Sequence, residues 1–252
     1  MINDLNKIIE DFEKCSLSEM DSVKLMNRVD TKYVLNLSDF LEVLPNLISD
    51  YKCLQIDGKS LLSYKNQYFD DSEFLCFKEH HRKKPKRFKV RIRKYIETDT
   101  TFLEIKKKNK GRTDKARIVV GDFVKSLKPE HLSFINKTLG KECDLIPSLW
   151  NDFQRITLVN KSKTERLTLD FNLSFEFKGK KKIYPNIVIA ELKQSNVNRT
   201  SSFYKELKKR LIRPYRVSKY CIGSMDIYSK NDLKANRFKK KSLYINKLNN
   251  AC

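Results

Sequence analysis

The stretch RFKVRIRKY, residues 87–95, alternates cationic and apolar side chains along its length. A period of two is typical of a β-strand, whose successive side chains point to opposite faces of a sheet. One face of this strand is therefore apolar, and the other places several cations in a row. The cations are Arg87, Lys89, Arg91 and Arg93, and the apolar residues between them are Phe88, Val90 and Ile92.

The same alternation recurs in other segments, and several of their charged faces also carry a carboxylate. These faces consist of Arg28, Asp30 and Lys32; Glu104, Lys106 and Lys108; Arg155 and Thr157; Arg166, Thr168 and Asp170; and Glu191 with Lys193. For any single strand, an ordinary half-solvated antiparallel sheet would explain the pattern. For the whole set, the mixture of cations with sparse carboxylates is more typical of a binding site than of a solubilising surface.

Amphipathic segments between the strands predict helices that would cover the apolar face of this sheet. With the helices outside, the charged faces would line the lumen of a closed barrel. Such a lumen suits a chain of phosphates, and its carboxylates would hold a divalent cation that bridges the polyanion. We therefore predict an α+β fold, an antiparallel β-barrel tunnel with helices packed outside.

The charge balance also indicates a polyanionic partner. The 252 residues contain 53 Lys and Arg against 31 Asp and Glu, a net charge of +22. Such an imbalance opposes folding through self-repulsion. A non-enzymatic nucleic-acid-binding protein would explain the charge and the basic run RKKPKR at 82–87, but not the carboxylates among the strand cations. Nucleic acid is therefore not the expected partner.

Composition and local patterns set the expected organisation. Scattered cysteines without a CxxC pair argue against a zinc site and favour free thiols in a reducing cytosol. No apolar run approaches the ~20 residues of a membrane helix, so we expect a cytoplasmic protein without a membrane span. Residues 1–25 are predicted to form an amphipathic helix within a tunnel domain of residues 1–228, and Ser38 to cap a later helix. Residues 229–252 would form a basic tail, either a loosely packed helix or a disordered end.

Seven segments, in order over roughly residues 20–226, resemble the VTC domain. This is the catalytic domain of the vacuolar transporter chaperone polyphosphate polymerase, a triphosphate tunnel metalloenzyme. The segments are NRVDTKYVL, NQYFDDSEFLCFKEHH, FKVRIRKY, FLEIKKKNKGR, RLTLDFNLSF, IVIAELKQS and RVSKYCIGSM. The resemblance implies a basic tunnel with acidic residues that hold Mg²⁺ or Mn²⁺, and ATP or another triphosphate and polyphosphate as its ligands.

The resemblance and the charged strand faces together indicate candidate site residues. Catalytic roles in gripping phosphates are expected for Lys32, Arg91, Arg93, Lys106, Arg155, Arg166 and Lys219, and further contacts to the bound triphosphate for Lys193, Ser218 and Arg28. Glu191 is the expected metal ligand, with Glu104 or Asp30 assisting. A lumen salt bridge is the alternative role for Glu191.

Two departures from the family pattern stand out. The wider superfamily opens with ExExK, where this chain has Arg28, Asp30 and Lys32, so one carboxylate of the first strand is missing. Phe153 stands where the polymerases tend to carry Tyr.

The expected reaction is transfer of the γ-phosphoryl group of ATP to a growing polyphosphate chain. Phosphoryl transfer depends on positioning and charge neutralisation, and the forked guanidinium of Arg suits phosphate oxygens. Two alternatives stay open at this point. One is an inorganic triphosphatase or polyphosphate hydrolase of the same fold, and the other is a non-enzymatic protein that binds polyphosphate or nucleic acid.

Overall fold

The computed structural model of the protein describes residues 2–21, 28–110 and 112–251. Within these residues, eleven strands join one sheet. In chain order they are β1 (Glu13–Cys15), β2 (Val29–Asn36), β3 (Tyr51–Leu54), β4 (Leu62–Asp70), β5 (Arg87–Tyr95), β6 (Thr100–Asn109), β7 (Arg112–Val120), β8 (Ile146–Asn160), β9 (Glu165–Phe177), β10 (Lys180–Tyr184) and β11 (Ile187–Gln194).

The main path of the sheet runs β2–β11–β9–β8–β4–β5–β6–β7, and every pair along it is antiparallel. Three short strands flank this path. β10 pairs with β9, β3 pairs with β8, and β1 runs parallel to β3.

The sheet is strongly curled, with its charged face on the concave side. Burial alone would raise the pKa of Glu191 on β11, yet the cation of Lys106 on β6 helps to lower it. In a flat sheet, the five strand spacings between β11 and β6 would separate them by roughly 24 Å, well beyond the Debye length of about 8 Å. Curling therefore brings the two strands face to face.

The α+β fold with a curled antiparallel sheet and helices outside is thus confirmed. One detail of the prediction differs, because β2 and β7, the two ends of the main path, do not pair with each other in the described part of the chain. The barrel is therefore a half-barrel rather than a closed one.

Eight α-helices occur in the described residues. They are α1 (Ile2–Glu10), α2 (Leu17–Asp21), α3 (Leu37–Val43), α4 (Leu75–His81), α5 (Pro129–Leu139), α6 (Ser202–Lys209), α7 (Lys219–Ile227) and α8 (Lys239–Asn249), with 3₁₀ turns at Leu44–Leu47 and Asn236–Phe238. None of these helices combines the length and the apolarity needed to span a bilayer.

The convex face of the sheet is covered by helices. Ile9 of α1, Phe40 of α3 and Phe203 of α6 pack with Val188 of β11 in one buried cluster. Toward the other end of the strand order, α5 covers β6 on the same convex face, and its Ile135 is fully buried. The apolar half of the strand alternation therefore faces outward into helices, which leaves the charged half on the concave face.

One extra residue in β9 turns part of its apolar side toward the concave face. Asn172 has a φ of 50° and interrupts the register of β9 with β8. Phe171 before it packs in the convex cluster, whereas Leu173 and Phe175 after it belong to the cluster that contains α7. A bulge of this kind re-aims the side chains that follow it, and here it builds an apolar seat for α7.

α7 rests on this seat, against β8 and β9. A Cβ atom at Gly223 would lie 2.2 Å from the Phe175 ring and 2.8 Å from the Leu149 side chain. The helix backbone therefore approaches the sheet as closely as glycine allows. This approach places Lys219, the first residue of α7, beside the charged strands.

Two local predictions were wrong. The N-terminal helix does not extend over residues 1–25, because α1 ends at Glu10 and β1 then pairs with β3; residues 1 and 22–25 lie outside the described residues. The later helix, α3, is capped by Asn36, whose Oδ1 accepts from the Asp39 amide at 2.7 Å, and not by Ser38. Ser38 instead donates to Asn36 Oδ1 at 3.0 Å.

The close approach of α7 predicts that Gly223→Ala destabilises the protein. The added methyl group must displace the Phe175 ring, and overpacking of this kind typically costs about 1–3 kcal/mol. We expect a lower free energy of unfolding in urea titrations. Gly121→Ala is the matched control, because nothing lies within 4 Å of a Cβ atom there. Equal stability of the two variants would contradict the packing of α7 described here.

Candidate active site

The concave face gathers the residues that the sequence predicts for the site. Asp30 and Lys32 lie on β2 with Arg28 just before it, Glu191 and Lys193 on β11, Arg166 on β9, Arg155 on β8, Arg91 and Arg93 on β5, Glu104 and Lys106 on β6, and Ser218 and Lys219 at the start of α7. Strand alternation puts the strand members on one face, and three carboxylates organise them.

Glu191 is shared by two lysines. Lys32 Nζ donates to its Oε1, and Lys193 Nζ lies 3.1 Å from its Oε2. Burial opposes ionisation of Glu191, but the cations of Lys193, Lys32 and Lys106 hold its pKa well below the usual range. Glu191 is therefore an anion surrounded by flexible point charges.

Glu104 is shared by an arginine and a lysine. Arg91 donates to its Oε2 from Nε at 2.9 Å and from Nη2 at 2.6 Å, and Lys115 of β7 donates to its Oε1. The carboxylate is only 2% exposed. Burial would raise its pKa, but Arg91, Arg93 and Lys115 lower it strongly. Both oxygens of Glu104 are thus occupied, and its main effect is to fix the Arg91 guanidinium.

Asp170 joins β8 to α7 in the same way. Arg155 Nη2 donates to its Oδ2 at 2.8 Å, and Lys219 Nζ donates to the same oxygen. Burial lowers the pKa of Lys219 to about 7, although the neighbouring Asp170 opposes this shift. Three carboxylates therefore hold two cations each, and every such triad keeps a net positive charge.

Arg93 has no carboxylate partner in the described part of the chain. Its Nε donates to Asn66 Oδ1 at 2.7 Å, and the residue is only 6% exposed. Its Cζ lies 5.2 Å from the Tyr64 ring centroid and 5.7 Å from that of Phe153. These two rings stack with centroids 5.2 Å apart, and Arg155 lies over both of them. Aromatic faces therefore offset part of the cost of burying Arg93.

Three further cations complete the concave face without ion pairs to carboxylates in the described residues. Lys89 Nζ donates to Ser218 Oγ at 2.7 Å, and burial lowers its pKa to about 8, with Lys32 and Arg91 adding to the shift. Lys106 lies opposite Lys89 in the β5–β6 register. Arg166 lies opposite Lys193, and its buried Nε has no hydrogen-bond partner.

Several residues of the site were not among the predicted site residues. Lys89 and Asp170 were recognised on the charged strand faces, but no role in the site was predicted for them. Lys115 lies on an edge strand whose charges do not alternate regularly. Tyr64 and Asn66 are uncharged, so the charge pattern of the sequence does not indicate them. In the structure, β4 places Tyr64 opposite Phe153 and Asn66 opposite Arg93.

The carboxylates of the concave face are the candidate ligands for a divalent metal ion. Among residues 2–21, 28–110 and 112–251, no group of three Asp, Glu, His or Cys residues lies close enough to hold one. Each candidate ligand pairs with cations in this structure: Glu104 with Arg91 and Lys115, Glu191 with Lys32 and Lys193, and Asp30 with Arg28 at 2.9 Å. Glu191 and Asp30 offer only hard oxygen donors, and Mg²⁺ and Mn²⁺ accept one or two carboxylates when phosphates supply the remaining oxygens. These residues fit such an ion in the presence of a polyphosphate ligand.

The concave face is thus lined by cation-rich triads, and the first turn of α7 lies beside them. The VTC domain family matches residues 27–228, and the chain belongs to this family. This match confirms the resemblance to the VTC domain predicted from the sequence.

Solved structures with similar folds were also found. A putative adenylyl cyclase from Hippeastrum, described as having a dominant triphosphatase activity, is 14% identical over 80% of this chain and 98% of its own, with a TM-score of 0.49. A putative adenylate cyclase from Bacillus halodurans is 13% identical over 76% of this chain and 94% of its own, with a TM-score of 0.49. A search of curated proteins found no match to this chain.

The buried lysines predict opposite pH dependences for stability and for ligand binding. The pKa is lowered to about 7 for Lys219 and to about 8 for Lys89 and Lys193, in each case mainly by burial. In the unfolded chain these groups keep a pKa of about 10.4. Between about pH 8 and 10 the unfolded state therefore binds more protons, and the free energy of unfolding should rise with pH. Triphosphate favours the protonated lysines, so its affinity should fall over the range 7 to 9.

Melting curves and calorimetric titrations at pH 7, 8 and 9 would measure both trends. Binding at pH 8 should take up protons from the buffer, and Lys219→Met should reduce this uptake, whereas Lys208→Met on the exposed face of α6 should not. Affinity for triphosphate that is independent of pH over this range would show that the lysines stay charged without ligand.

Proposed function

We propose that this domain transfers the γ-phosphoryl group of ATP to a growing polyphosphate chain, with Mn²⁺ or Mg²⁺ as the metal ion. The observation that carries the proposal is the row of cations along the concave face, which four carboxylates, Glu191, Glu104, Asp170 and Asp30, neutralise only in part. A linear chain of phosphates complements such a row in charge and in shape. Membership in the VTC family supports the same reaction.

The arginines are suited to hold the reacting phosphates in fixed positions. Glu104 fixes Arg91, Asp170 fixes Arg155, and Asn66 holds Arg93 by its Nε. Because Asn66 occupies only one donor of Arg93, the two terminal nitrogens remain available for a forked contact to phosphate oxygens. Cations that are already oriented before the substrate arrives stabilise the charge of the transition state without reorganisation.

The lysines around Glu191 are suited to a substrate that moves. Lys32 and Lys193 are long and flexible, so they can turn from Glu191 to phosphate oxygens as a chain advances. This exchange would release the oxygens of Glu191, with Asp30 nearby, for the metal ion. When bound, a divalent ion neutralises charge on the transferring phosphoryl group.

The deciding test of the reaction is incubation of the purified protein with ATP and Mn²⁺, followed by separation of phosphate products by chain length. Products longer than a triphosphate would support the polymerase. Orthophosphate alone would support the triphosphatase, and the absence of turnover together with tight polyphosphate or nucleic-acid binding would support a binding protein. Steep loss of nucleic-acid affinity with salt would accompany the last outcome.

Arg93→Ala is expected to weaken triphosphate binding by about 1.5–3 kcal/mol for each charge-assisted hydrogen bond lost. Arg93→Lys should not fully restore the affinity, because the forked geometry is missing. Arg91→Ala should also lower the melting temperature, since it leaves Lys115 as the one ion-pair partner of the buried Glu104 among the described residues. Calorimetric titration and melting curves would separate these effects, with Arg210→Ala on the convex side as control. Unchanged affinity in both Arg93 variants would contradict the assigned contact.

Glu191→Gln is expected to reduce turnover by orders of magnitude while polyphosphate still binds, because the change removes a metal ligand and adds no obstacle to phosphates. Turnover at several Mn²⁺ concentrations, polyphosphate affinity and a melting curve should be measured on the same preparation. Glu206→Gln is the matched control: Glu206 is 6% exposed and pairs with Lys209 and Arg210, but it lies on α6 outside the sheet. Near-normal turnover in Glu191→Gln would remove the residue from the site and leave it as a salt bridge.

A further inference from the structure

A second group of cations continues the charged row beyond the concave face. Arg87 follows Lys89 at the next concave position of β5, and Lys108 pairs directly with Arg87 in the β5–β6 register. Arg216, in the segment between α6 and α7, and Lys241, in the first turn of α8, lie at the same end of the tunnel. We refer to Arg87, Lys108, Arg216 and Lys241 as the rim cations.

Electrostatics and contacts show that the rim cations are neighbours. Burial lowers the pKa of Lys108, and the charges of Arg87 and Arg216 lower it further. Burial also lowers the pKa of Lys241, with an added contribution from the charges of Lys83 and Arg216. Lys241 Nζ donates to the Arg216 carbonyl oxygen and lies 5.7 Å from the Tyr215 ring centroid. Three segments far apart in sequence thus bring their cations to one place.

The rim has a fixed position because α8 is anchored. Phe238 and Ile245 are 9% and 1% exposed, and Phe238 packs edge-on against His81 with ring centroids 5.1 Å apart. The Arg237 amide donates to His81 Nε2 at 3.0 Å, and Asn186 Nδ2 donates to the Asn249 carbonyl oxygen at 2.9 Å. The sequence left these residues as a loosely packed helix or a disordered end, whereas the structure holds them against α4 and the sheet.

None of the rim cations forms an ion pair with a carboxylate within the described ranges of the chain. Surfaces that serve solubility alone intersperse charges of both signs, and neighbouring cations without anions destabilise the folded state. The triads of the concave face show that this fold places carboxylates between cations where neutralisation is needed. At the rim, the charge of Glu79 acts on Arg87, but no carboxylate of the described residues bridges two rim cations. The rim therefore keeps a net positive charge, which indicates that an anion from outside completes it.

We propose that the rim cations bind the polyphosphate chain where it emerges from the tunnel, and so extend the binding site onto α8. This inference rests on the proposed function for its ligand. Polyphosphate is the ligand because Arg87 and Lys108 of the rim lie on β5 and β6, the same two strands that line the concave face. α8 lies beyond residues 27–228, so this extension is a feature of this chain outside the matched family domain. Phe238 is buried and is not an open platform for a nucleic-acid base.

The test compares the double variant Arg216→Ala and Lys241→Ala with the parent protein in binding tripolyphosphate and a polyphosphate of about 100 units, without ATP or metal. A triphosphate fits within the concave face, so its affinity should change less than twofold. The affinity for the long chain should fall at least tenfold, and the salt dependence of its binding should lose about two counterions. Unchanged tripolyphosphate affinity also shows that the tunnel of the variant is folded.

The matched control is the double variant Arg199→Ala and Lys205→Ala, which removes one arginine and one lysine from exposed positions away from the rim. Equal losses of long-chain affinity in both double variants would show that the loss follows from net charge alone, and this would overturn the proposal. Equal losses for the two ligands, or no loss for either, would also overturn it. A loss confined to single-stranded DNA of similar length would assign the rim to nucleic acid instead.

In this design, the proposed reaction and the assignment of the rim to polyphosphate can be refuted independently. If the protein makes no polyphosphate from ATP but the rim variant still loses long-chain affinity, the proposed reaction is wrong and the rim assignment stands. If polymerisation occurs and long-chain affinity is unchanged in the variant, the rim assignment is wrong. When both hold, the rim variant should release shorter products at an unchanged rate of ATP consumption over the first few additions.

Discussion

Repulsion among cations enclosed by one curled sheet is the constraint on which the rest of this structure depends. Three buried carboxylates, Glu191, Glu104 and Asp170, answer it by holding two cations each. Burying an ion pair is costly, and removing one partner of a buried pair costs still more. A ratio of two cations to one carboxylate therefore keeps the folded state accessible while it preserves a positive lumen. Full neutralisation of the lumen cations would favour folding, but it would remove the attraction for a polyanion.

The same constraint explains how the helices are placed. Lys219 reaches Asp170 only because the bulge at Asn172 turns Leu173 and Phe175 toward the concave side and gives α7 a place to pack. The third triad thus joins a strand to a helix, whereas the other two join strands to their neighbours. The start of α7 also contributes to the charged face, because Ser218 both caps the helix and accepts a hydrogen bond from Lys89.

Periodicity within RFKVRIRKY and its companion segments is enough to predict the strands, the charged face and most of its members. The reason is that alternation is a local property, and a buried apolar face fixes the register of each strand. The openness of the barrel, the seat of α7 and the pairing of Arg93 with Asn66 depend on contacts between distant segments, which a charge pattern does not encode. The N-terminal helix was overextended for a similar reason, since the apolar stripe of Leu5, Ile9 and Phe12 continues past the end of α1 at Glu10, and the pairing of β1 with β3 that follows is a contact between distant segments.

Arginines and lysines divide the concave face into two regions with different mechanical properties. Arg91 and Arg155 are held by two donors each on carboxylates that are nearly inaccessible, whereas Lys32 and Lys193 meet Glu191 through single nitrogens. A fixed region suits a reacting group that must be positioned, and an adaptable region suits a chain that must advance. Because Arg93, Arg166 and the rim cations form no ion pairs with carboxylates of the described residues, they remain available to an external anion. Any polyphosphate that binds the folded state must therefore stabilise it by mass action. The fold and its ligand are therefore coupled through the same charges, and the residues that weaken the free protein are the ones that recognise the polymer.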